Sequence, residues 1–179
     1  LSQRLKELEA AGVIERRPLK SEKGVFEYHM TASGKDLRPV VEAIGFWGQK
    51  WVDAKLSLKN LDPSLLMWDM RRNLNPTPLP DGRTVIQFLY RELPVSKQAW
   101  WLVVESHGAV DLCWSDPGFD VDLYVSTDLR TMTAIWMGLS TVKKEGEKIA
   151  LTGDRDIANT MQSWLGLSPF AVEPKRAAA

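Results

Sequence analysis

The chain has 179 residues, 23 basic and 23 acidic side chains, and 44% hydrophobic residues, the make-up of one or two ordinary globular domains. Its one cysteine, Cys113, excludes an internal disulfide framework and fits a reducing cytoplasm. No apolar run is long enough to span a membrane, and no signal peptide is visible. Charge is uneven: residues 1–60 carry 11 Lys/Arg against 8 Asp/Glu, and residues 61–179 carry 12 against 15. A mildly basic front and an acidic back suit a chain with one DNA-facing half.

Taken in order, Leu1, Leu5 and Leu8 recur at helical spacing and share one face. Gly12 stands where a helix C-cap belongs, and Val13 and Ile14 begin an extended segment. Residues 21–24, Ser-Glu-Lys-Gly, are a turn between strands at 14–17 and 25–28. Arg16, Arg17, Lys20 and Lys23 cluster on that hairpin. A helix followed by a basic hairpin is the second half of a winged helix-turn-helix: the helix faces a major groove and the hairpin lies near phosphates. Ser2, Gln3, Arg4 and Lys6 fall in the helix's first two turns, where Gln and Arg can pair with adenine and guanine edges. The four basic hairpin residues would neutralise phosphates, making binding salt-dependent.

A helix is predicted over 34–56, with Ser33 as N-cap and Thr31 as a rival, and Pro39 early enough to be tolerated. Leu37, Val41, Ile44, Trp47 and Trp51 form one apolar stripe on it, widened by Val40, Phe46 and Val52. Such a stripe either packs on its own domain or joins two copies.

Residues 1–18, LSQRLKELEAAGVIERRP, followed by YHMTASGKDLRPVVEAIGFWGQKW, strongly resemble the HxlR family of bacterial winged-helix regulators. The resemblance rests on Leu1/Leu5/Leu8/Glu9, Gly12 to Arg16, Tyr28-His29-Met30-Thr31 with Gly34, and Trp47-Gly48. Met30 stands where Leu is commoner. The family's preceding helices are absent and no initiator Met opens the chain, so a fragment of a longer protein is expected. The resemblance implies a homodimer through the long helix, on a pseudo-palindromic double-stranded DNA operator.

Beyond a connector at 55–62, Asp62-Pro63-Ser64 opens a helix over 64–73, and a Pro/Asn break follows at 73–82. The pattern then changes to period two, with strands at 84–90, 99–105, 110–114 and 121–125, read as an antiparallel meander. A helix capped by Asp128 follows over 129–138, then a short turn at 140–145 and a strand at 148–151. A last helix runs over 157–165, capped by Asp154 or Asp156, and residues 168–179 form a frayed tail. The domain boundary is placed near residue 60: 1–60, 61–172 and a tail at 173–179. Strands followed by helices indicate an α+β layer, an antiparallel sheet covered by helices.

Residues 122–129, Asp-Leu-Tyr-Val-Ser-Thr-Asp-Leu, with Trp136-Met137-Gly138 and residues 146–154, Gly-Glu-Lys-Ile-Ala-Leu-Thr-Gly-Asp, resemble the sterol-carrier-protein-like fold. That resemblance implies an apolar tunnel for lipids, fatty-acyl groups or similar molecules. The ligand-lining candidates are Trp100, Leu102, Trp114, Leu123, Met132 and Trp136, among eight tryptophans in all.

Catalytic candidates are poor. His29 and His107 lack an acid partner close in sequence and read as solvent histidines. Cys113 reads as an inert small core residue. Asp116, Asp120 and Asp122 straddle a Pro-Gly turn without the ligand pattern of a calcium loop. There is no phosphate loop, zinc spacing or nucleophile elbow. The expectation is a cytoplasmic transcription regulator, neither enzyme nor cofactor protein, with no metal and no membrane partner. Its second domain would sense a small apolar or lipid-like ligand. The alternatives are a purely structural, dimerising second domain, or a lipid- or acyl-binding carrier.

Overall fold

The computed structural model describes residues 2–53, 58–59 and 61–172. Leu1 of the predicted stripe, the predicted helix end and connector at 54–57, and the tail at 173–179 lie outside the described residues. The chain divides into two compact units, Leu1–Gly48 and Gln49–Ala179.

The first unit opens with α1 (Ser2–Ala10). Its stop follows the rule for glycine C-caps: Gly12 takes φ 69°, its N–H reaches Glu9 O at 3.0 Å, and the Val13 N–H reaches Leu8 O at 2.9 Å. Strands β1 (Ile14–Pro18) and β2 (Phe26–Met30) form an antiparallel hairpin in which Arg16 faces Tyr28 and Arg17 faces Glu27. The Thr31 hydroxyl ties the far end of β2 to the α1 stop, donating to Gly12 O at 2.6 Å and accepting from the Gly34 N–H at 3.1 Å.

Thr31, not Ser33, is therefore the N-cap, and Ser33 lies inside α2 (Ala32–Asp36). The single helix predicted over 34–56 is two, α2 and α3 (Arg38–Trp51), parted at Leu37. The cause is Pro39: it has no N–H to donate to the Lys35 carbonyl four residues back, but it suits the first turn of a new helix. Gly34 is required by close approach, since a Cβ there would sit 2.0 Å from the Val13 carbonyl oxygen.

The second unit holds α4 (Pro63–Asn73), β3 (Thr84–Tyr90), a four-residue helix α5 (Val95–Gln98) that periodicity does not reveal, and β4 (Ala99–Val104). Then come β5 (Val110–Cys113), β6 (Leu123–Thr127), α6 (Leu129–Trp136), β7 (Ala150–Gly153), α7 (Arg155–Asn159) and α8 (Met161–Leu165). Short 3-10 turns occupy Gly146–Lys148 and Pro169–Val172. The class is α+β as expected, with helices on a five-stranded sheet of order β5-β4-β3-β6-β7. The meander is corrected. It holds for β3, β4 and β5, but β6 returns to the open side of β3 and pairs with it in parallel, Phe88 against Val125.

Strand β6 also starts two residues later than predicted. Asp122 is drawn out of the strand pattern, its carboxylate accepting from the Val85 N–H at 2.7 Å. The last helix is broken at Thr160, whose hydroxyl bonds back to Asp156 O at 2.7 Å, and Asp154 rather than Asp156 caps it. Asp62 caps α4 through the Ser64 N–H at 2.8 Å, and the Ser64 hydroxyl bond holds its carboxyl below the usual carboxylate range. Asp128 caps α6 through the Thr131 N–H at 2.7 Å.

One face of the sheet is the core. Ile86, Phe88 and Tyr90 of β3, Trp100, Leu102 and Val104 of β4, and Leu123 and Val125 of β6 meet Met67 and Met70 of α4, Met132 and Ile135 of α6, and Met161 and Trp164 of α8. The opposite face carries a smaller cluster of Val85, Trp101 and Val103. Two deeply buried indoles have their N–H groups satisfied: Trp136 donates to Asp69 Oδ2 at 2.8 Å and Trp164 to Ile157 O at 2.7 Å.

Candidate nucleic-acid face and ligand sites

On α1, Ser2, Gln3, Arg4 and Lys6 are all exposed, and among the described residues of this helix none is buried. Arg4 pairs with Glu7 at 2.7 Å, an exposed i, i+3 contact that a competing base or phosphate could displace at small cost. The helix thus offers polar side chains along its first two turns while Leu5 is half-buried.

The hairpin separates its basic residues by strand alternation. Arg16 shares a face with Phe26, and its guanidinium lies 3.8 Å from that ring's centroid. Arg17 points to the other face and pairs with Glu15. Lys20 and Lys23 are exposed in the turn, which closes through the Leu19 N–H to Val25 O at 2.9 Å. The eight predicted DNA-facing residues are therefore all accessible, but they differ in electrostatic freedom. Glu27 on the Arg17 face takes a contact of its own, from His29 Nε2 at 2.7 Å. This corrects the expectation that His29 has no acidic neighbour: two residues apart on a strand means the same face.

The predicted apolar stripe is open. Leu37, Val41, Ile44, Trp47 and Trp51 are all exposed, Ile44 at 64% and Trp47 at 60%. Leu37 sits at the junction before α3 rather than within it. Apolar exposure of this extent along one helix is more than scattered single residues give.

Of the six predicted ligand-lining residues, Trp100, Leu102, Leu123, Met132 and Trp136 come together in the closed core. Trp114 does not join them: it lies past the end of β5 and is 67% exposed. Beside this core lies an open, mostly apolar cleft of about 330 Å³ between α4, the end of α6 and the Pro169–Val172 turn. Leu61, Leu65, Leu66, Met137 and Phe170 line it, with Trp136, Asp69 and Arg72. Spacing does not point to these residues, because they come from three separate segments.

A second, shallow cleft is lined by Arg91, Glu92, Ser126, Thr127, Asp128 and Lys148, whose side-chain carbons make up most of its exposed wall. Contact with Glu145 at 2.7 Å holds the Lys148 ammonium above its ordinary pKa and the Glu145 carboxyl below its own. Tyr90, at the end of β3, donates to Met67 Sδ at 3.2 Å, and burial pushes its phenol well above the usual range.

Cys113 is half-buried on the second sheet face rather than inside the core, packed against the smaller cluster. Asp116 accepts from the Gly118 N–H at 2.8 Å and Asp122 serves Val85, so both act in turn and strand geometry. Among the described residues no His/Cys/Asp/Glu group could hold a metal, and no helix is long and apolar enough to cross a membrane.

Comparison with known proteins agrees with the geometry of the front segment. Residues 1–56 match the HxlR-like helix-turn-helix family. The uncharacterised HTH-type transcriptional regulator YvaP of Bacillus subtilis strain 168 is 42% identical over 53 residues, covering 30% of this chain and 49% of YvaP. The chain thus spans about half the length of the curated relative it matches. Solved structures resemble it more distantly. The inverting sec-alkylsulfatase Pisa1 from Pseudomonas sp. is 18% identical, covering 58% of this chain and 16% of that one, with a TM-score of 0.45. Palmitated SCP2L2 from Aedes aegypti is 20% identical, covering 57% and 88%, with a TM-score of 0.39. A possible sterol carrier protein from Thermus thermophilus is 15% identical, covering 67% and 93%, with a TM-score of 0.41.

Proposed function

We propose that this chain, carrying an HxlR-like helix-turn-helix segment at its front, is part of a cytoplasmic transcription regulator that binds double-stranded DNA as a homodimer. The observation that carries the reading is the joint exposure of Ser2, Gln3, Arg4 and Lys6 on α1 and of Arg16, Arg17, Lys20 and Lys23 on the hairpin, inside the segment that matches that family. The α1 residues read base edges and the hairpin residues hold phosphates. The stripe Leu37, Val41, Ile44, Trp47 and Trp51 joins the two copies, so that two half-sites face one symmetric protein. Residues 1–60 serve DNA and pairing, and residues 61–172 serve as a carrier-like domain for a small apolar ligand.

The ligand part draws support from the sequence resemblance to sterol carriers and from the apolar cleft that reaches Trp136. A ligand alters operator affinity only if it binds one arrangement of the dimer more tightly than another. A second reading has an observation of its own. Trp136, Trp164, Tyr90, Phe88 and eight more large side chains are almost wholly buried, which favours a domain filled by its own residues and serving only as a scaffold.

The test uses the full-length protein and an operator selected from random DNA. Arg4→Ala should weaken operator affinity at fixed salt by about tenfold, the scale of one base-edge contact. Lys20→Ala should leave sequence preference intact and reduce the salt slope by roughly one. Unchanged affinity in Arg4→Ala would remove α1 as the reading helix. Native mass spectrometry of detergent-free protein then separates the ligand reading, which expects a bound apolar molecule, from the scaffold reading, which expects a bare dimer.

A further inference from the structure

Among the described residues of α3, Gln49 is the one that is buried. It opens the second unit, and it is 6% exposed on a helix whose apolar stripe lies open. A glutamine is seldom buried unless its amide is paired. Here the pairing is with Met137: the Gln49 Nε2 group donates to the Met137 carbonyl at 3.0 Å.

That carbonyl belongs to the end of α6, where Met137 is the C-cap. The last carbonyls of a helix have no intrahelical partner and are satisfied from elsewhere. At α6, Trp136 O accepts from the Ser168 N–H at 2.8 Å, and Met137 O accepts from Gln49. Trp136, Met137 and Ser168 all line the apolar cleft described above. The helix end that walls the cleft is thus tied by one hydrogen bond to the cleft's own far rim and by another to the last turn of α3.

The second tie joins two things that can each be displaced. A hydrogen bond keeps its strength over only a small range of distance, so a shift of Met137 either carries the Gln49 amide with it or breaks the contact. Breaking it leaves a buried amide without that partner, which is costly. A molecule entering the cleft packs between Leu65 and Leu66 of α4 and the Trp136–Met137 end of α6, so it bears on this helix end directly.

We infer that Gln49 is the positioning residue through which an occupant of the apolar cleft moves the last turn of α3, the helix that carries the open stripe. The inference rests on the ligand reading of that cleft under the proposed function and supplies its route to α3.

The experiment records amide spectra of the isotope-labelled chain with octanol as the probe at about 1 mM, enough to populate a site of sub-millimolar affinity. Shifts at Leu65, Met137 and Phe170 report occupancy of the cleft. Shifts of the Gln49 side-chain amide, and a change of about twofold or more in hydrogen exchange at Lys50 and Trp51, report the link. Both sets should respond with the same saturation midpoint, and the Gln49 side-chain signal tests the link without any variant. Gln49→Met keeps an unbranched side chain and removes its donor. It should bind octanol within about twofold of the wild-type affinity, yet lose the exchange response at Lys50 and Trp51. A residue that merely held α3 in place would change exchange in the free variant and leave the octanol response intact. Cleft shifts with no response at Gln49, or a full exchange response in Gln49→Met, would overturn the link and leave the cleft reading standing. No saturable shift at Leu65, Met137 or Phe170 would overturn the cleft reading and the link with it.

Discussion

The two units solve opposite problems. In the second, a sheet face and the helices on it enclose a continuous set of large side chains. In the first, Ile14 is the one buried large apolar residue among those described, while Phe26, Tyr28, Met30, Val41, Ile44 and Trp47 stay exposed. A segment with so little interior is held by local devices: the glycine stop of α1, the hairpin ladder and the Thr31 hydroxyl that bridges them. The difference teaches that apolar side chains in the first unit lie open to solvent, and that those in the second are packing.

The largest effect should come from breaking the closed side. Trp136→Ala removes a nearly fully buried indole and its bond to Asp69, and should cost about 3–5 kcal/mol in denaturant unfolding of the second unit. Gly34→Ala probes the local devices of the first. Its Cβ collides with the Val13 carbonyl, which should cost about 1–3 kcal/mol and strip hydrogen-exchange protection from Thr31 and Gly34, leaving the second unit unchanged. The smallest effect should be Ile44→Ser, within about 0.5 kcal/mol of wild-type stability at a dilution where the chain is monomeric. The same substitution should raise the dimer dissociation constant severalfold in sedimentation. A loss of monomer stability on the Trp136→Ala scale would mean that the stripe packs at home and that the contrast between the units is false.

Much of the fold was legible because local rules govern it. Gly12, Asp62 and Asp128 mark helix ends through hydrogen bonds within a few residues of themselves. The exposure of the residues proposed to face DNA was legible for a similar reason, since charged side chains on short amphipathic elements stay in solvent. The parallel pairing of β3 with β6 was not, because it joins segments more than thirty residues apart and no periodicity encodes which edge a returning strand takes. The break at Thr160 needed one hydroxyl rotamer, and α5 is too short to show a period. The ligand candidates suffered from a different ambiguity. Trp100 faces the helices and Trp101 faces away, and nothing in an unbroken apolar strand says which.

That strand, Ala-Trp-Trp-Leu-Val-Val, has a bearing on how faithfully the chain folds. A slip of one residue would exchange the two sides of β4 yet still bury an indole beneath the helices, so hydrophobicity barely punishes the mistake. Fidelity must then be imposed by the neighbours. The tight turn after β4 closes through the Glu105 N–H to Ala109 O at 2.8 Å, with Gly108 at φ 83°, and it sets Val104 of β4 against Val110 of β5. Lengthening that turn by a single residue would turn a self-correcting strand into one with two nearly equal ways to settle, and kinetic trapping would follow before any loss of native contacts.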